Sequence, residues 1–175
     1  GSWTGARDLT GAVERAARST TGPDRSSTGV AIGWPVGMIR HRFGGHLQGG
    51  LVRVAAAGGS PEAFTSLDKG EGSHRWPALV PGTRDVLFAT AAGANWDDAH
   101  IAVQSRDSTR HRVLPDLGTS PRYLPTGHLI FARAGSLFAA PFDLARRATT
   151  GPATLLLKDV SSTFLGGNAQ FAVTN

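Results

Sequence analysis

Two segments of the chain, VPGTRDVLFAT (80–90) and LPTGHLIFAR (124–133), follow one plan: an apolar residue, a proline, a glycine-containing turn and an apolar strand. Pro125 follows Pro81 at a spacing of 44 residues. Self-similarity at a period of ~20–50 residues marks stacked supersecondary units, each unable to bury its apolar surface alone. After each copy comes a further strand, HIAVQS (100–105) or SLFAAPFD (136–143), then a polar turn and another, RHRVL (110–114) or ATLLLKDV (153–160). HRWPALV (74–80) and SPRYL (120–124) precede the two copies and supply the first strand of each unit.

Each unit therefore holds four short strands in about the ~40–45 residues of one propeller blade. The expected fold is all-β, a partial β-propeller of two complete four-stranded blades, about 74–117 and 120–160, with flanking strands. LVRVAAAGGSPEAFTSL (51–67) reads as the last two strands of an earlier blade, and AQFAV (169–173) as the first of a later one. Gly (23) and Pro (10) are spread between these runs, which suits many short strands joined by turns.

Residues 1–48 have a different texture. They form an irregular N-terminal segment, with 49–175 as the repeat region. Leu9, Val13 and Ala16/Ala17 fall at helical spacing, which predicts a short helix over 8–18. Residues 20–29 read as a loop and Val30-Ala31-Ile32 as a strand, interrupted afterwards by Gly33, Pro35 and Gly37. Gly1 to Gly11 contains no apolar run of the ~7–15 residues a signal peptide carries, and no stretch of the sequence approaches the ~18 apolar residues of a membrane span.

Several function classes are set aside by composition. Cysteine is absent, so disulfides, thiolate catalysis and cysteine-based zinc sites are excluded. The net charge is +5, yet the arginines are scattered and the longest adjacent pair is Arg146-Arg147. Nucleic-acid binding asks for a clustered basic stripe or interleaved exposed aromatics, so it is not expected.

The succession GGLVRVAAAGGSPEAFTSLDKGEGSHRWPALVPGTRDVLFAT, RYLPTGHLIFARAGSLFAAPFDLARRATTGPATLLL and GGNAQFAV resembles bacterial TolB-like propeller proteins. It is similar in particular to the propeller region fused behind a transmembrane segment in bacterial serine/threonine protein kinases. The resemblance covers roughly Gly49 to Asn175. It implies a non-catalytic module for protein or ligand interaction or sensing, placed outside the cytoplasm, in the periplasm or at the cell surface. Gly1-Ser2-Trp3 resembles the start of another blade, which residues 4–48 do not continue; this stretch is expected to be divergent or out of register. The kinase motifs themselves are absent: there is no glycine-rich nucleotide loop, His-Arg-Asp catalytic loop or Asp-Phe-Gly.

Candidate chemistry is sparse, and no catalytic residue or cofactor-binding set is assigned. The histidines are His41, His46, His74, His100, His111 and His128. His41 and His46 are five apart, unlike the helical pair of a zinc protease. His74, at the entry of an inner strand, reads as a side chain ordering the blade junction, and His128 as a polar residue beside a turn. Asn95, Asp97 and Asp98 offer oxygen ligands of the kind Ca²⁺ takes, but without the alternation and terminal acid of a ~12-residue calcium loop. They read as a hairpin loop. No serine sits in a Gly-x-Ser-x-Gly elbow.

The leading expectation is a repeat module binding a protein or peptide through blade edges or the channel mouth. A propeller-type metal-dependent hydrolase of the lactonase kind is the alternative, with Asn95, Asp97, Asp98 and Asn168 as contributors to its ion site. A fragment without independent function is a third reading. Two blades do not close a ring, so unpaired edges and apolar faces predict self-association. Light scattering at high concentration is expected to report species larger than one chain, and a clean monomer would contradict this.

Overall fold

A computed structural model describes residues 38–41, 49–54, 60–93, 95–162 and 169–171, with Met38–His41 and Val54 described through their backbone alone. The helix expected over 8–18 and the strand expected over 30–32 lie outside the described residues. Within them the protein is all-β, with antiparallel sheets and no α-helix. Accordingly, no helix among them is long and apolar enough to cross a membrane.

The first sheet holds β1 (Met38–His41), β2 (Leu51–Val54) and β3 (Glu62–Ala63) in that order. Pairing of β1 with β2 carries the sheet back into the segment that reads as irregular. The second holds β4 (Ser73–Leu79), β5 (Asp85–Ala91), β6 (His100–Ser105) and β7 (Arg112–Leu117), in sequence order, as a meander. The third contains β8 (Thr119–Leu124), β9 (His128–Arg133) and β10 (Ser136–Asp143), with β11 (Ala148–Thr149) and β12 (Thr154–Leu157) both pairing with β10. The fourth strand of this blade is thus split, where a single strand over 153–160 was expected. The split falls around Pro141: Leu137–Ala139 pair with β12, whereas Phe142 and Asp143 pair with β11. Proline has no amide hydrogen to give a ladder, and here its carbonyl accepts from the Thr150 amide at 2.9 Å.

Stacking follows from the alternation of side chains along each second strand. In β5, Val86 and Phe88 pack with Leu51 and Phe64 of the preceding unit. The opposite face places Leu87, with Ile101 and Val103 of β6, against Leu129, Phe131 and Ala140 of the third sheet. The pattern recurs in β9: Leu129 and Phe131 face the second sheet, whereas Ile130 and Ala132 join Leu137, Leu156, Val160 and Ala169. Four-stranded sheets buried on both faces and stacked in sequence are the arrangement of a partial propeller.

The 44-residue period is written into the backbone as well. Trp76, before Pro77, has φ of 50°, and Ser120, before Pro121, has φ of 52°. Each sits in the irregularity of an inner strand, between Arg75 and Ala78 in β4 and between Thr119 and Arg122 in β8. Positive φ is unfavourable for a bulky residue such as Trp and is held only where the surroundings over-determine it. Trp76 is held by an edge-on contact with Trp96, ring centroids 4.5 Å apart. The following turns use the same proline differently. In Val80-Pro81-Gly82-Thr83 the glycine has φ of 72°, whereas in Leu124-Pro125-Thr126-Gly127 it comes one place later; both close with an amide-to-carbonyl bond across the turn.

The passage between blades is a single residue. Gly118 separates β7 from β8, and a Cβ there would lie 2.5 Å from Phe131 Cδ2 and 2.9 Å from the Ala132 carbonyl oxygen. Polar ties cross the junctions too: Arg147 Nε donates to Asp85 Oδ2 at 2.9 Å, and Gln104 Nε2 donates to the Phe64 carbonyl at 2.9 Å.

Phe131 is fully buried in the interface between the blades. Phe131→Ala is expected to lower the unfolding free energy by about 3–5 kcal/mol in urea titration. Leu155→Ala, on an exposed side chain, is expected to change it by no more than about 0.5 kcal/mol.

Candidate functional site

The most concentrated polar chemistry among the described residues lies where the segment before β4 folds against the second sheet. His74 is the second residue of β4, and its amide donates to the Gly49 carbonyl at 3.0 Å. Its side chain lies on the same face as Phe88, which places the imidazole against that ring at a centroid distance of 4.8 Å. His111 comes from the β6–β7 connection and meets the same phenyl ring at 5.5 Å and the His74 ring, edge-on, at 4.9 Å. Glu71 completes the group from the turn Asp68-Lys69-Gly70-Glu71, whose ends are tied by the Glu71 amide donating to the Asp68 carbonyl at 3.0 Å.

Glu71 is the hub. Its Oε2 accepts from the Asp68 amide at 2.7 Å and is bonded to His74 Nε2 at 2.9 Å, while Oε1 is bonded to His111 Nε2 at 3.0 Å. On the far side of His74, Nδ1 lies 2.8 Å from Thr65 Oγ1, which accepts the Leu51 amide at 2.7 Å. A chain of hydrogen bonds therefore runs from β2 through Thr65, His74 and Glu71 to His111. Exposures of 0%, 2% and 12% for the side chains of His74, His111 and Glu71 put all three out of bulk water, whereas Asp68 at the rim is 76% exposed.

Burial sets the electrostatics in opposite ways. Desolvation by itself raises the Glu71 carboxyl, but the Asp68 amide and the two imidazoles outweigh it and hold the pKa at about 2. For His74 desolvation dominates and lowers the pKa, with the Glu71 carboxylate opposing it in part. The resting arrangement is a carboxylate facing a neutral His74. The ligand atoms of Glu71, His74 and His111 all lie within 4.8 Å of one another, so these three residues form a set able to hold a metal ion.

Of the residues considered from sequence, His74 belongs to this group, whereas the metal candidates fall elsewhere. Asn95, Asp97 and Asp98 are exposed in the β5–β6 connection, the hairpin-loop position expected of them. Asn95 Oδ1 accepts the Asp97 amide at 3.1 Å, and Asn95 Nδ2 donates to Asp98 Oδ2 at 2.9 Å, a self-contained turn. Between them Trp96 is buried and anchors the loop, with Arg75 Cζ 4.6 Å from its ring centroid. Asn168 and His46 lie outside the described residues, as does the side chain of His41. His128 Nδ1 lies 3.1 Å from Thr126 Oγ1, the contact of a residue beside a turn. Glu71 attracts no attention in the sequence, and His111 lies 40 residues from it. Only the local half, Glu71-Gly72-Ser73-His74, carries a spacing signal.

No protein-family model matches the chain, and no curated protein compared with it matches its sequence.

The cluster makes stability depend on pH in two stages. His74 has a folded pKa below its ordinary 6.5, so its contribution is complete above that value and declines as pH falls through it. For Glu71, folded pKa about 2 against an ordinary 4.5, the contribution is complete above about 4.5 and is lost as pH falls toward 2. That second stage is worth about 3 kcal/mol. Thermal unfolding in chelator-containing buffer is expected to show Tm falling below pH 6.5 and again below pH 4.5. Glu71→Gln is expected to remove most of the second fall.

Proposed function

We propose that the chain is a non-catalytic propeller module that presents blade surfaces to a protein or peptide partner, in the manner of the TolB-like propellers it resembles. The observation that carries this reading is the stacked repeat itself. Its two successive blades keep the 44-residue period down to the paired residues before proline, Trp76 and Ser120. Propellers and solenoids use such arrays as rigid scaffolds whose edges and loops contact partners.

The docking edge favoured by this reading is β7, the last strand in the order of its sheet. Arg112, Val113 and Pro115 are exposed along it, and Val113 retains 44% of its surface. An extended peptide pairs with such an edge through main-chain hydrogen bonds and gains specificity from alternate side chains. Metal-dependent hydrolysis is disfavoured by the enclosure of the Glu71–His74–His111 group, because a catalytic ion needs an open position facing substrate.

Selection of a random-peptide library on the immobilised chain is expected to enrich extended sequences. Val113→Lys is expected to weaken their binding at least ~tenfold, about 1.4 kcal/mol. Failure to enrich any sequence, or metal-dependent turnover of lactone or ester substrates that EDTA abolishes, would contradict the proposal.

A further inference from the structure

We propose that Glu71, His74 and His111 bind a divalent transition-metal ion of the zinc class, pinning the 65–74 segment to the β6–β7 connection. The inference is independent of the partner-binding reading above. Two imidazoles and a carboxylate are a donor set suited to Zn²⁺ and its neighbours, whereas Ca²⁺ and Mg²⁺ take oxygen almost exclusively. Tetrahedral Zn²⁺ with bonds of 2.0–2.2 Å spaces its ligand atoms by about 3.3 Å. The carboxylate-to-imidazole separations are 2.9 Å from Oε2 to His74 Nε2 and 3.0 Å from Oε1 to His111 Nε2, so an ion held by one oxygen widens one contact slightly and draws the other imidazole inward. The whole set already lies within 4.8 Å.

Support around the ligands is also in place. An imidazole that binds metal through Nε2 carries its proton on Nδ1 and donates it to a neighbouring oxygen, which fixes the ring. Thr65 Oγ1, 2.8 Å from His74 Nδ1, is that oxygen. Having accepted the Leu51 amide, it keeps a second lone pair for the imidazole proton. Binding thus requires the Nε2 proton that faces the Glu71 carboxylate to leave that nitrogen in both rings, and in His74 it moves to Nδ1. Glu71 and His111 are 40 residues apart, so the ion ties the β3–β4 connection between two sheets to the β6–β7 hairpin connection.

Charge and access point the same way. The Glu71 carboxylate, largely withdrawn from solvent and bonded to the Asp68 amide and to both imidazoles, offers a negative charge that a divalent cation can balance. Asp68 Oδ2 lies 3.7 Å from His111 Nε2 at the exposed rim. It stands where an entering ion would pass and is placed to become the fourth ligand. Phe88, packed against both imidazoles, closes the opposite side.

The test uses the full chain, stripped with EDTA and dialysed, then titrated with ZnCl₂ in a calorimeter. One Zn²⁺ per chain is expected, with Kd on the order of micromolar or tighter, and CaCl₂ is expected to give no binding heat. His111→Gln and Glu71→Gln are each expected to weaken Zn²⁺ binding at least ~tenfold. The double variant His41→Gln/His46→Gln is expected to bind as the parent does. Absence of Zn²⁺ binding, unchanged affinity in His111→Gln, or loss of binding in the His41/His46 variant would each overturn the proposal. Cobalt gives a reading on the unsubstituted chain that does not depend on any variant folding. Intense visible bands of four-coordinate Co²⁺ are expected, and the weak spectrum of the six-coordinate ion would overturn the assignment.

Discussion

The second strand of each blade is apolar on both faces, and the remainder of the architecture depends on that. Every residue of β5 is buried, and β9 is buried from Leu129 to Ala132. A four-stranded sheet standing alone would leave one of these faces in water, at a cost of about 25 cal/mol for each Å² of apolar surface. Stacking removes that cost for both partners at once. Leu87 and Phe131 share one cluster, Val86 and Phe88 another, and Ile130 with Ala132 a third. The blades are therefore consecutive layers joined by apolar contact, with hydrogen bonding running mainly within each sheet.

Apolar contact is not directional, so polar groups at the junctions have a complementary role. Asp85 is buried and is met by Arg147 from the neighbouring blade, and Gln104 reaches back to the Phe64 carbonyl. Leaving either acceptor unpaired costs about 1–3 kcal/mol, which penalises a slipped stacking that apolar packing alone would tolerate. The Thr65–His74–Glu71–His111 chain works in the same way at the junction before β4. There a strand, two loops and the preceding sheet must agree in position before the hydrogen bonds close. Structural register and candidate metal chemistry thus share one group of side chains.

Much of the blade pattern was legible in the sequence because its signals are local. Apolar runs bounded by turn residues placed β6 at His100–Ser105, β9 at His128–Arg133 and β10 at Ser136–Asp143. The first strands came from the segments before Pro81 and Pro125. Non-local determinants were harder to read. EAFTSL (62–67) looks like a full strand, yet only Glu62–Ala63 pair, because Phe64 and Thr65 turn inward to meet Leu51. The short β11 lies in the polar stretch Ala145-Arg146-Arg147-Ala148-Thr149 and exists only because Phe142 and Asp143 lie alongside it. Within the polar run 95–100, buried Trp96 is the residue that fixes the loop. His74 was legible as a junction residue; its partners Glu71 and His111 were not, since the fold alone brings position 111 to position 71.

Native-state amide hydrogen exchange tests the central claim, that the second and third sheets hold each other up by mutual burial, most directly. If they form one cooperative stack, the amides of Leu87 and Phe88 in β5 and of Ile130 and Phe131 in β9 will exchange with the same opening free energy, equal to that of global unfolding. The amides of the 95–98 loop will exchange far sooner. Exchange of the β9 amides through a separate, lower-energy opening while β5 stays protected would show that the blades stand independently, and would contradict the account.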